Sequence, residues 1–275
     1  MLSENKFTLA MCQIRTETDR EATMEKAERM VREAAEKGAD IVQLPEMFNC
    51  PYSREYFKKF AALGHEDTVK EMSRWAAENR IILVGGSVPE TEGGQLYNTC
   101  FVFDRQGRQI ARHRKIHLFD VDFPGMRFKE SNNFAPGNEI TVFDTEFGPM
   151  GAAVCFDLRF PELFRAMAER GARCVFLPAQ FNMVTGPKHW ELSLRMRAVD
   201  YHVFVAGCSA ARYEGFSYEC WGHSTVAGPM GEVVCACDEK EQILYAEIDL
   251  EQTETAKAQL PTGSVLRRDL YPVAK

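Results

Sequence analysis

The sequence lacks the features that several large classes of protein require. No apolar run is long enough to span a bilayer, and residues 1–6 do not have the charged-then-apolar layout of a signal peptide. Positive charge is not in excess, because the formal net charge is -7. Such a chain has no surplus of basic groups with which to bind phosphates or an anionic membrane. We therefore expect a cytoplasmic protein with neither a nucleic-acid nor a membrane partner.

Repeats, low-complexity segments and interdomain linkers are also missing. With 275 residues, of which 45% are hydrophobic, the chain can bury a sizeable core as one domain. The nine cysteines are an odd number and lie scattered through apparent strands, which is typical of a reduced cytosolic protein. The close pair Cys235 and Cys237 has no second pair beside it, so we interpret it as strand alternation and expect no metal. We expect one domain over 1–275, with a core at about 7–250 and a polar C-terminal extension at 251–275.

The order of apolar runs and helical spacings predicts a layered α/β fold. The strands are predicted at 7–14, 40–46, 81–88, 150–154, 174–178, 203–209 and 243–250, with hairpins at 97–114 and 226–237. Helices are predicted from Asp19 to Gly38, at 68–78, from Pro161 to Gly171 and from Pro187 onward. Residues 119–136 are predicted to be a long loop, because they contain Pro124, Gly125 and a Ser-Asn-Asn run.

One cysteine occupies a position that suits a nucleophile. Cys155 follows the small apolar strand 150–154 and precedes a helix that opens at Pro161. Open α/β sheets place their ligands at such strand ends, and a helix opening nearby can lower a thiol's pKa and offer N–H groups to an oxyanion. The competing interpretation is a buried structural cysteine, which is the common fate of this residue.

A thiol nucleophile also needs a base. None of the six histidines has an evident orienting partner in the sequence, although distance along the chain does not exclude one. Glu46 is a second candidate, because burial at the end of an apolar strand would raise its pKa toward neutrality. Lys115 precedes Ile116 and could be drawn inward to stabilise a thiolate and an oxyanion. The competing interpretations are a solvated loop glutamate and an exposed hairpin end.

Three motifs follow one another in the chain: Leu44-Pro-Glu46, His113-Arg-Lys115-Ile-His117 and Val154-Cys155-Phe-Asp-Leu-Arg-Phe-Pro-Glu162. Together they resemble the nitrilase superfamily of carbon–nitrogen hydrolases, and the resemblance extends over about 7–271. It implies an α/β fold built as a four-layer αββα sandwich, paired into a homodimer through the outer helices. It also implies a catalytic set of Glu46, Lys115 and Cys155. A second glutamate of the family corresponds to Glu130, which would position Lys115 or the substrate amide; from the residues alone Glu130 is a loop surface charge.

Within this superfamily the sequence is most similar to the omega-amidase branch. The segments that carry this similarity are Tyr97-Asn-Thr-Cys100, Arg114 to Asp120, Phe181-Asn182, Thr185 to Glu191 and Trp221 to Thr225. The similarity implies hydrolysis of small monoamides of 2-oxo dicarboxylic acids, such as 2-oxoglutaramate and 2-oxosuccinamate, through a thioester and without a metal or organic cofactor. Hydrolysis of deaminated glutathione, or of another aliphatic or N-carbamoyl amide, is the alternative within the superfamily.

The remaining predicted residues would bind the substrate. The backbone N–H of Phe156 would join Lys115 in holding the oxyanion, and Phe181 and Asn182 follow a strand end where they could line a pocket. Arg159 could bind a substrate carboxylate or, equally, hold Asp157 or another buried acid. Two hypotheses of other kinds stay open, namely a cysteine–histidine enzyme and a non-catalytic binding scaffold.

Overall fold

The secondary structure alternates strands and helices over most of the chain. The computed structural model describes residues 5–124, 126–213 and 218–270. The strands in these ranges are β1 (Lys6–Gln13), β2 (Ile41–Gln43), β3 (Ile82–Val84), β4 (Val88–Glu92), β5 (Gln95–Phe103), β6 (Gln109–Arg114), β7 (Asp120–Phe123), β8 (Met126–Lys129), β9 (Thr141–Thr145), β10 (Gly148–Ala152), β11 (Cys174–Ala179), β12 (Phe204–Ser209), β13 (Thr225–Ala227), β14 (Val233–Ala236) and β15 (Gln242–Asp249). The helices are α1 (Arg20–Glu36), α2 (Arg54–Ala62), α3 (Glu66–Asn79), α4 (Pro161–Glu169), α5 (Gly186–Tyr201) and α6 (Glu251–Gln259).

The strands form two large sheets and one small hairpin. The first sheet has seven strands in the order β15-β1-β2-β3-β5-β4, with β6 also paired to β5. The second has six strands in the order β14-β13-β12-β11-β10-β9. The neighbours β1, β2 and β3 run parallel, as do β10, β11 and β12, because a helix connects most of these strands along the chain. The closing strand β15 corresponds to the predicted strand at 243–250 and pairs antiparallel with β1.

The two sheets pack face to face and helices cover both outer faces. The largest core cluster contains residues of both sheets, for example Leu9 and Met11 with Phe176 and Val205. Its outer part includes α4 and α5, whereas a second cluster joins the other face of the first sheet to α1 and α3. The layers are therefore helix, sheet, sheet, helix, and the predicted αββα sandwich is confirmed. None of the helices in the described ranges is both long and apolar enough to cross a bilayer.

Helix boundaries follow the predicted signals. The Asp19 side chain accepts hydrogen bonds from the backbone N–H groups of Glu21 and Ala22, which caps α1. Gly38 and Gly171 lie just beyond the ends of α1 and α4 with φ of +87° and +94°, a conformation that L side chains rarely adopt. Pro161 occupies the first turn of α4, where its missing N–H costs nothing.

Four parts of the predicted secondary structure need correction. Residues 119–136 are not a long loop, because β7 and β8 pair there and a 3₁₀ turn follows at Glu130–Asn132. The predicted strand at 81–88 is two strands, β3 and β4. The extension after 250 begins with α6, and α2 and β9 had no prediction. Each missed element is short, so its periodicity gave little signal. The predicted tail beyond residue 270, the end of the resemblance at Tyr271 and Gly125 lie outside the described residues.

Candidate active site

Three of the predicted residues converge where strands of the two sheets end. Glu46 follows β2 and Lys115 follows β6, so both come from the first sheet. Cys155 follows β10 of the second sheet and opens a 3₁₀ turn, Cys155–Arg159. The group therefore lies at the strand ends of the sandwich, where side chains from distant parts of the sequence can meet in a buried space.

The charged members of this group are completely buried. Glu46, Lys115 and Glu130 are each 0% exposed. The interpretations of these residues as a solvated loop glutamate, an exposed hairpin end and a surface charge are therefore wrong. Buried charges persist in proteins only when they are paired and hydrogen-bonded, so the contacts among these three determine what the site can do.

Lys115 is shared between the two carboxylates. Its Nζ lies 2.8 Å from Glu46 Oε1 and 2.8 Å from Glu130 Oε2. The third contact of the ammonium is the hydroxyl of Tyr52, at 3.5 Å. Burial alone would lower the pKa of Lys115, but the negative charges of Glu130 and Glu46 outweigh it and hold that pKa above its usual value. The lysine is therefore a permanent cation at neutral pH.

Neutral groups also donate hydrogen bonds to Glu46 and Glu130. Asn98 Nδ2 donates to Glu46 Oε1 at 2.8 Å and to Glu130 Oε1 at 3.2 Å. The backbone N–H of Phe119 donates to Glu130 Oε2 at 2.7 Å, and Gln180 Nε2 donates to the backbone carbonyl of Glu46 at 2.7 Å. No pattern in the sequence predicted a chemical role for Asn98 or Gln180, because each contacts the site only through the tertiary fold.

The Cys155 backbone has a strained conformation. Its φ is 47°, in the left-handed region that non-glycine residues seldom occupy. The predicted corner between strand and helix is thus confirmed, but the thiol does not have the low pKa that a nearby helix would give. Burial raises the pKa of Cys155 well above its usual value, and the Glu46 carboxylate raises it further. The thiol is therefore protonated at neutral pH and needs a base before it can attack a carbonyl.

Glu46 has the properties of that base. Burial raises its pKa above the ordinary value, against the opposing effect of Lys115. The charge of its carboxylate acts on the Cys155 thiol, whose Sγ lies 3.8 Å from the backbone carbonyl oxygen of Gln180. Of the two carboxylate oxygens, Oε1 accepts from Lys115 and Asn98, while the buried Oε2 has no hydrogen-bond partner among the described residues. One oxygen therefore remains available for a proton.

A buried carboxylate links the two sides of the site. Asp157, two residues after Cys155, lies 3.1 Å from His113 Nε2 and 2.7 Å from His117 Nδ1, and these histidines flank Lys115 in the chain. Although burial opposes it, hydrogen bonding from the two imidazoles lowers the pKa of Asp157 below its usual value. We call Asp157, His113 and His117 the inter-sheet link. Both histidines of the motifs therefore bind Asp157. No hydrogen bond in the described ranges joins a histidine to Cys155.

Arg159 is held without a carboxylate. The structure contradicts the interpretation that it ties down Asp157, because the inter-sheet link uses that carboxylate. Its Nη1 lies 3.2 Å from His189 Nδ1, and its guanidinium lies 5.5 Å and 5.3 Å from the ring centres of Phe156 and Phe181. Within the described ranges Arg159 makes no salt bridge. Stacked on aromatic rings beside the thiol, it can still accept an anionic partner.

Phe181 and Asn182 have different environments. The Phe181 ring packs 4.9 Å from Trp190 and faces Arg159, so it lies next to the candidate site. The Asn182 Oδ1 accepts hydrogen bonds from the backbone N–H groups of Val184 and Thr185, both at 2.9 Å. That oxygen therefore organises the loop that leads into α5. Only the amide nitrogen of Asn182 is free of this local role, and it contacts a methionine sulfur at 3.5 Å.

The sandwich and the Glu–Lys–Cys group at its strand ends define the class of enzyme. The family model for carbon–nitrogen hydrolases matches residues 8–258, and the chain belongs to that family. It is a carbon–nitrogen hydrolase of the nitrilase superfamily. It is 45% identical to an omega-amidase of Xenopus laevis over 269 residues, 98% of each chain, and 44% identical to a human omega-amidase over 268 residues, 97% of each chain.

Solved structures of related proteins have the same fold. The crystal structure of Saccharomyces cerevisiae Nit3, a member of branch 10 of the nitrilase superfamily, superposes with a TM-score of 0.88 at 37% identity and covers 96% of this chain and 97% of that one. The NitFhit protein of C. elegans superposes with a TM-score of 0.91 at 31% identity, over 98% of this chain and 67% of the longer NitFhit chain.

Proposed function

We propose that the enzyme hydrolyses small amides through a thioester on Cys155. Glu46 accepts the thiol proton while the sulfur attacks the amide carbon, and the carbonyl oxygen takes up the electron pair of the broken π bond. Lys115 and the backbone N–H of Phe156 donate hydrogen bonds to that oxyanion. Glu46 then returns the proton to the amide nitrogen, the C–N bond breaks, and ammonia leaves.

The second half of the reaction uses the same base. Glu46 removes a proton from a water molecule, whose oxygen attacks the thioester carbon. The C–S bond breaks, the sulfur recovers its proton, and the carboxylic acid is released. Glu130 also contacts Lys115, 2.8 Å from its Nζ, and so helps to keep the cation in place through both steps. The observation that carries this mechanism is the buried Oε2 of Glu46, which has no hydrogen-bond partner among the described residues, on a carboxylate whose charge acts on the thiol.

We propose that the substrates are monoamides of 2-oxo dicarboxylic acids, such as 2-oxoglutaramate and 2-oxosuccinamate. The support is the Arg159 guanidinium one turn from the nucleophile, which makes no salt bridge with any described residue, together with the similarity to omega-amidases. A guanidinium can bind the carboxylate of such a substrate through two parallel hydrogen bonds, while the amide end reaches Cys155. Phe156 and Phe181 would flank the acyl chain, and Asn182 would close the pocket through its amide nitrogen.

Ammonia release tests this substrate assignment. Purified enzyme would be given 2-oxoglutaramate and deaminated glutathione side by side, with the C155A variant as blank. A preference of about 100-fold in kcat/KM for 2-oxoglutaramate, or about 2.7 kcal/mol of transition-state discrimination, is the expected result. The opposite preference would assign the enzyme to deaminated glutathione and leave the mechanism intact. If neither compound released ammonia, the substrate would have to be another aliphatic or N-carbamoyl amide.

The Arg159→Met variant should lose affinity for carboxylate substrates specifically. A hydrogen bond to a charged group contributes about 1.5–3 kcal/mol, so we expect KM for 2-oxoglutaramate to rise roughly 10- to 100-fold. A neutral aliphatic amide of similar length should be hydrolysed nearly as before, because it has no carboxylate to lose. Arg212→Met is the control, since Arg212 also lies over an aromatic ring, 5.0 Å from the centre of Trp221, but outside the site. Equal losses for both amides would show that Arg159 has a structural role.

Two further hypotheses have distinct outcomes. A cysteine–histidine enzyme would lose as much activity on replacement of one histidine as on replacement of Glu46. A non-catalytic scaffold would have a Cys155 that no electrophile modifies. The burial of the complete Glu46, Lys115 and Cys155 set argues against both, because a scaffold has no need to keep two carboxylates and an ammonium out of water.

We also propose that residues 1–275 act as a single domain that forms a homodimer in the cytoplasm. Leu192 and Met196 on the outer helix α5 are 61% and 44% exposed, which favours a partner on that face. All nine cysteines are free thiols, as expected in a reducing compartment.

A further inference from the structure

Asn98 makes the same two connections as the catalytic lysine. Its amide nitrogen donates one hydrogen bond to Glu46 and one to Glu130, and Lys115 contacts the same pair of carboxylates. Asn98 is only 1% exposed, on strand β5, so its amide has no alternative partner in water. The two carboxylates thus share a cation and also a neutral amide.

The arrangement distinguishes between the two oxygens of Glu46. Lys115 and Asn98 both donate to Oε1, at 2.8 Å each, whereas no described residue donates a hydrogen bond to Oε2. With one donor alone, the carboxylate could rotate about its last bond and exchange the two oxygens. Two donors on Oε1 oppose that rotation. Oε2 then remains directed away from them, as the oxygen available to the thiol.

The chemistry of the donor also matters. Two carboxylates, one ammonium and a neutral thiol leave the buried group with a net negative charge. A second cation at position 98 would neutralise that charge and make Glu46 a weaker base. An amide stabilises the ionised carboxylate without adding charge, so it fixes the orientation of Glu46 at a smaller loss of basicity. A carboxamide with two N–H donors is also the smallest side chain that can contact both glutamates at once.

We infer that Asn98 is a positioning residue for amide hydrolysis: it holds Glu46 so that Oε2 faces the Cys155 thiol, and it holds Glu130 in a fixed position relative to Glu46. This inference rests on the proposed role of Glu46 as the base. It assigns Asn98 no contact with the substrate, so its removal changes the catalytic step rather than substrate affinity.

The test compares the pH profiles of two variants. Asn98→Ala removes both hydrogen bonds to ionised carboxylates, so the acid limb of kcat/KM should move up by about one pH unit. We expect kcat to fall roughly 10- to 100-fold at neutral pH, with KM nearly unchanged, and to recover in part at alkaline pH. Asn98→Asp keeps the shape but replaces a donor by a third acidic group. It should be at least as inactive as N98A, whereas a purely space-filling role predicts the reverse order.

A substrate-independent measurement separates this inference from the substrate assignment. Iodoacetamide alkylation of Cys155, followed by mass spectrometry of its peptide, reports the ability of Glu46 to take the thiol proton. Its pH midpoint should rise by about one unit in N98A. The same rise in a protein that hydrolyses neither test amide would support the role of Asn98 and remove only the substrate assignment.

Thr99→Val is the matched control. Thr99 lies on the same strand and donates to the buried carboxylate of Glu90 at 2.6 Å, outside the site. T99V should lower the melting temperature by an amount comparable to N98A and leave both pH profiles in place. An unshifted midpoint in N98A, or equal changes in N98A and T99V, would overturn the inference.

Discussion

Replacing Cys155 with alanine is expected to reduce kcat/KM for amide hydrolysis by at least about 10⁴-fold while the fold stays intact. In the proposed mechanism the thiol forms the acyl intermediate, and Glu46 and Lys115 cannot replace it. Loss of one buried thiol leaves a small cavity, so the melting temperature should change little. Wild-type enzyme quenched during turnover should carry an adduct with the mass of the substrate minus ammonia on the Cys155 peptide.

Cys174→Ala is the control for this result. Cys174 is also a fully buried free thiol, at the first residue of strand β11, whereas Gln180, which contacts Glu46, follows the last residue of that strand. That variant should keep nearly full activity. Activity above about one hundredth of wild type in C155A, or the absence of any adduct in the quenched enzyme, would contradict the thioester mechanism.

Replacing Lys115 with methionine should affect both activity and stability. The variant loses the donor that stabilises the oxyanion, so we expect kcat to fall at least about 10³-fold. It also leaves two buried carboxylates without their cation, which typically costs about 3–5 kcal/mol of unfolding free energy. Lys115 opposes the burial that already raises the pKa of Glu46, so removal of the lysine raises that pKa further.

The stability loss should therefore depend on pH. A glutamate whose pKa is higher in the folded than in the unfolded protein carries no penalty below its unfolded value, about 4.3, and destabilises the fold as pH rises above it. Denaturant unfolding should show a small difference between K115M and wild type at pH 5 and a larger one at pH 8. Lys26→Met is the control, because Lys26 is also shared by two carboxylates, Glu17 and Glu241, but near the surface. It should cost less than about 1 kcal/mol; an equal loss at pH 5 and pH 8 in K115M would contradict this account.

The three main catalytic candidates could be selected from the sequence for a physical reason. Glu46 and Cys155 each follow an apolar strand, and Lys115 precedes an apolar stretch that could draw it inward, although the local pattern also allowed a solvated Glu46 and an exposed Lys115. The alternating βα pattern likewise predicted the layered fold, since each periodic segment was long enough to be distinguished. Glu130 had no such local signal, and its burial beside Lys115 was expected only from the resemblance to the superfamily.

The residues that support the catalytic group could not be predicted from the sequence. Asn98 lies 52 residues from Glu46, and Asp157 lies 44 from His113, so their contacts exist only after the sheets have packed. A helix that opens after Cys155 can lower the thiol pKa, but burial, which no local pattern quantifies, dominates and raises it. The hairpin of β7 and β8 was missed because four-residue strands give too short an alternation to distinguish from a loop.

The division of the site between two sheets affects how the protein acquires activity as it folds. A chain in which only the first sheet has formed holds the base and the cation, and one with only the second holds the thiol; neither can turn over an amide. The inter-sheet link forms when the two sheets dock, and docking is also what buries Cys155. The rate at which activity returns after dilution from denaturant therefore reports when the sheets dock. Docking is late because it depends on contacts between distant parts of the chain. Until then the cysteine is an ordinary accessible thiol, open to oxidation before it can catalyse anything.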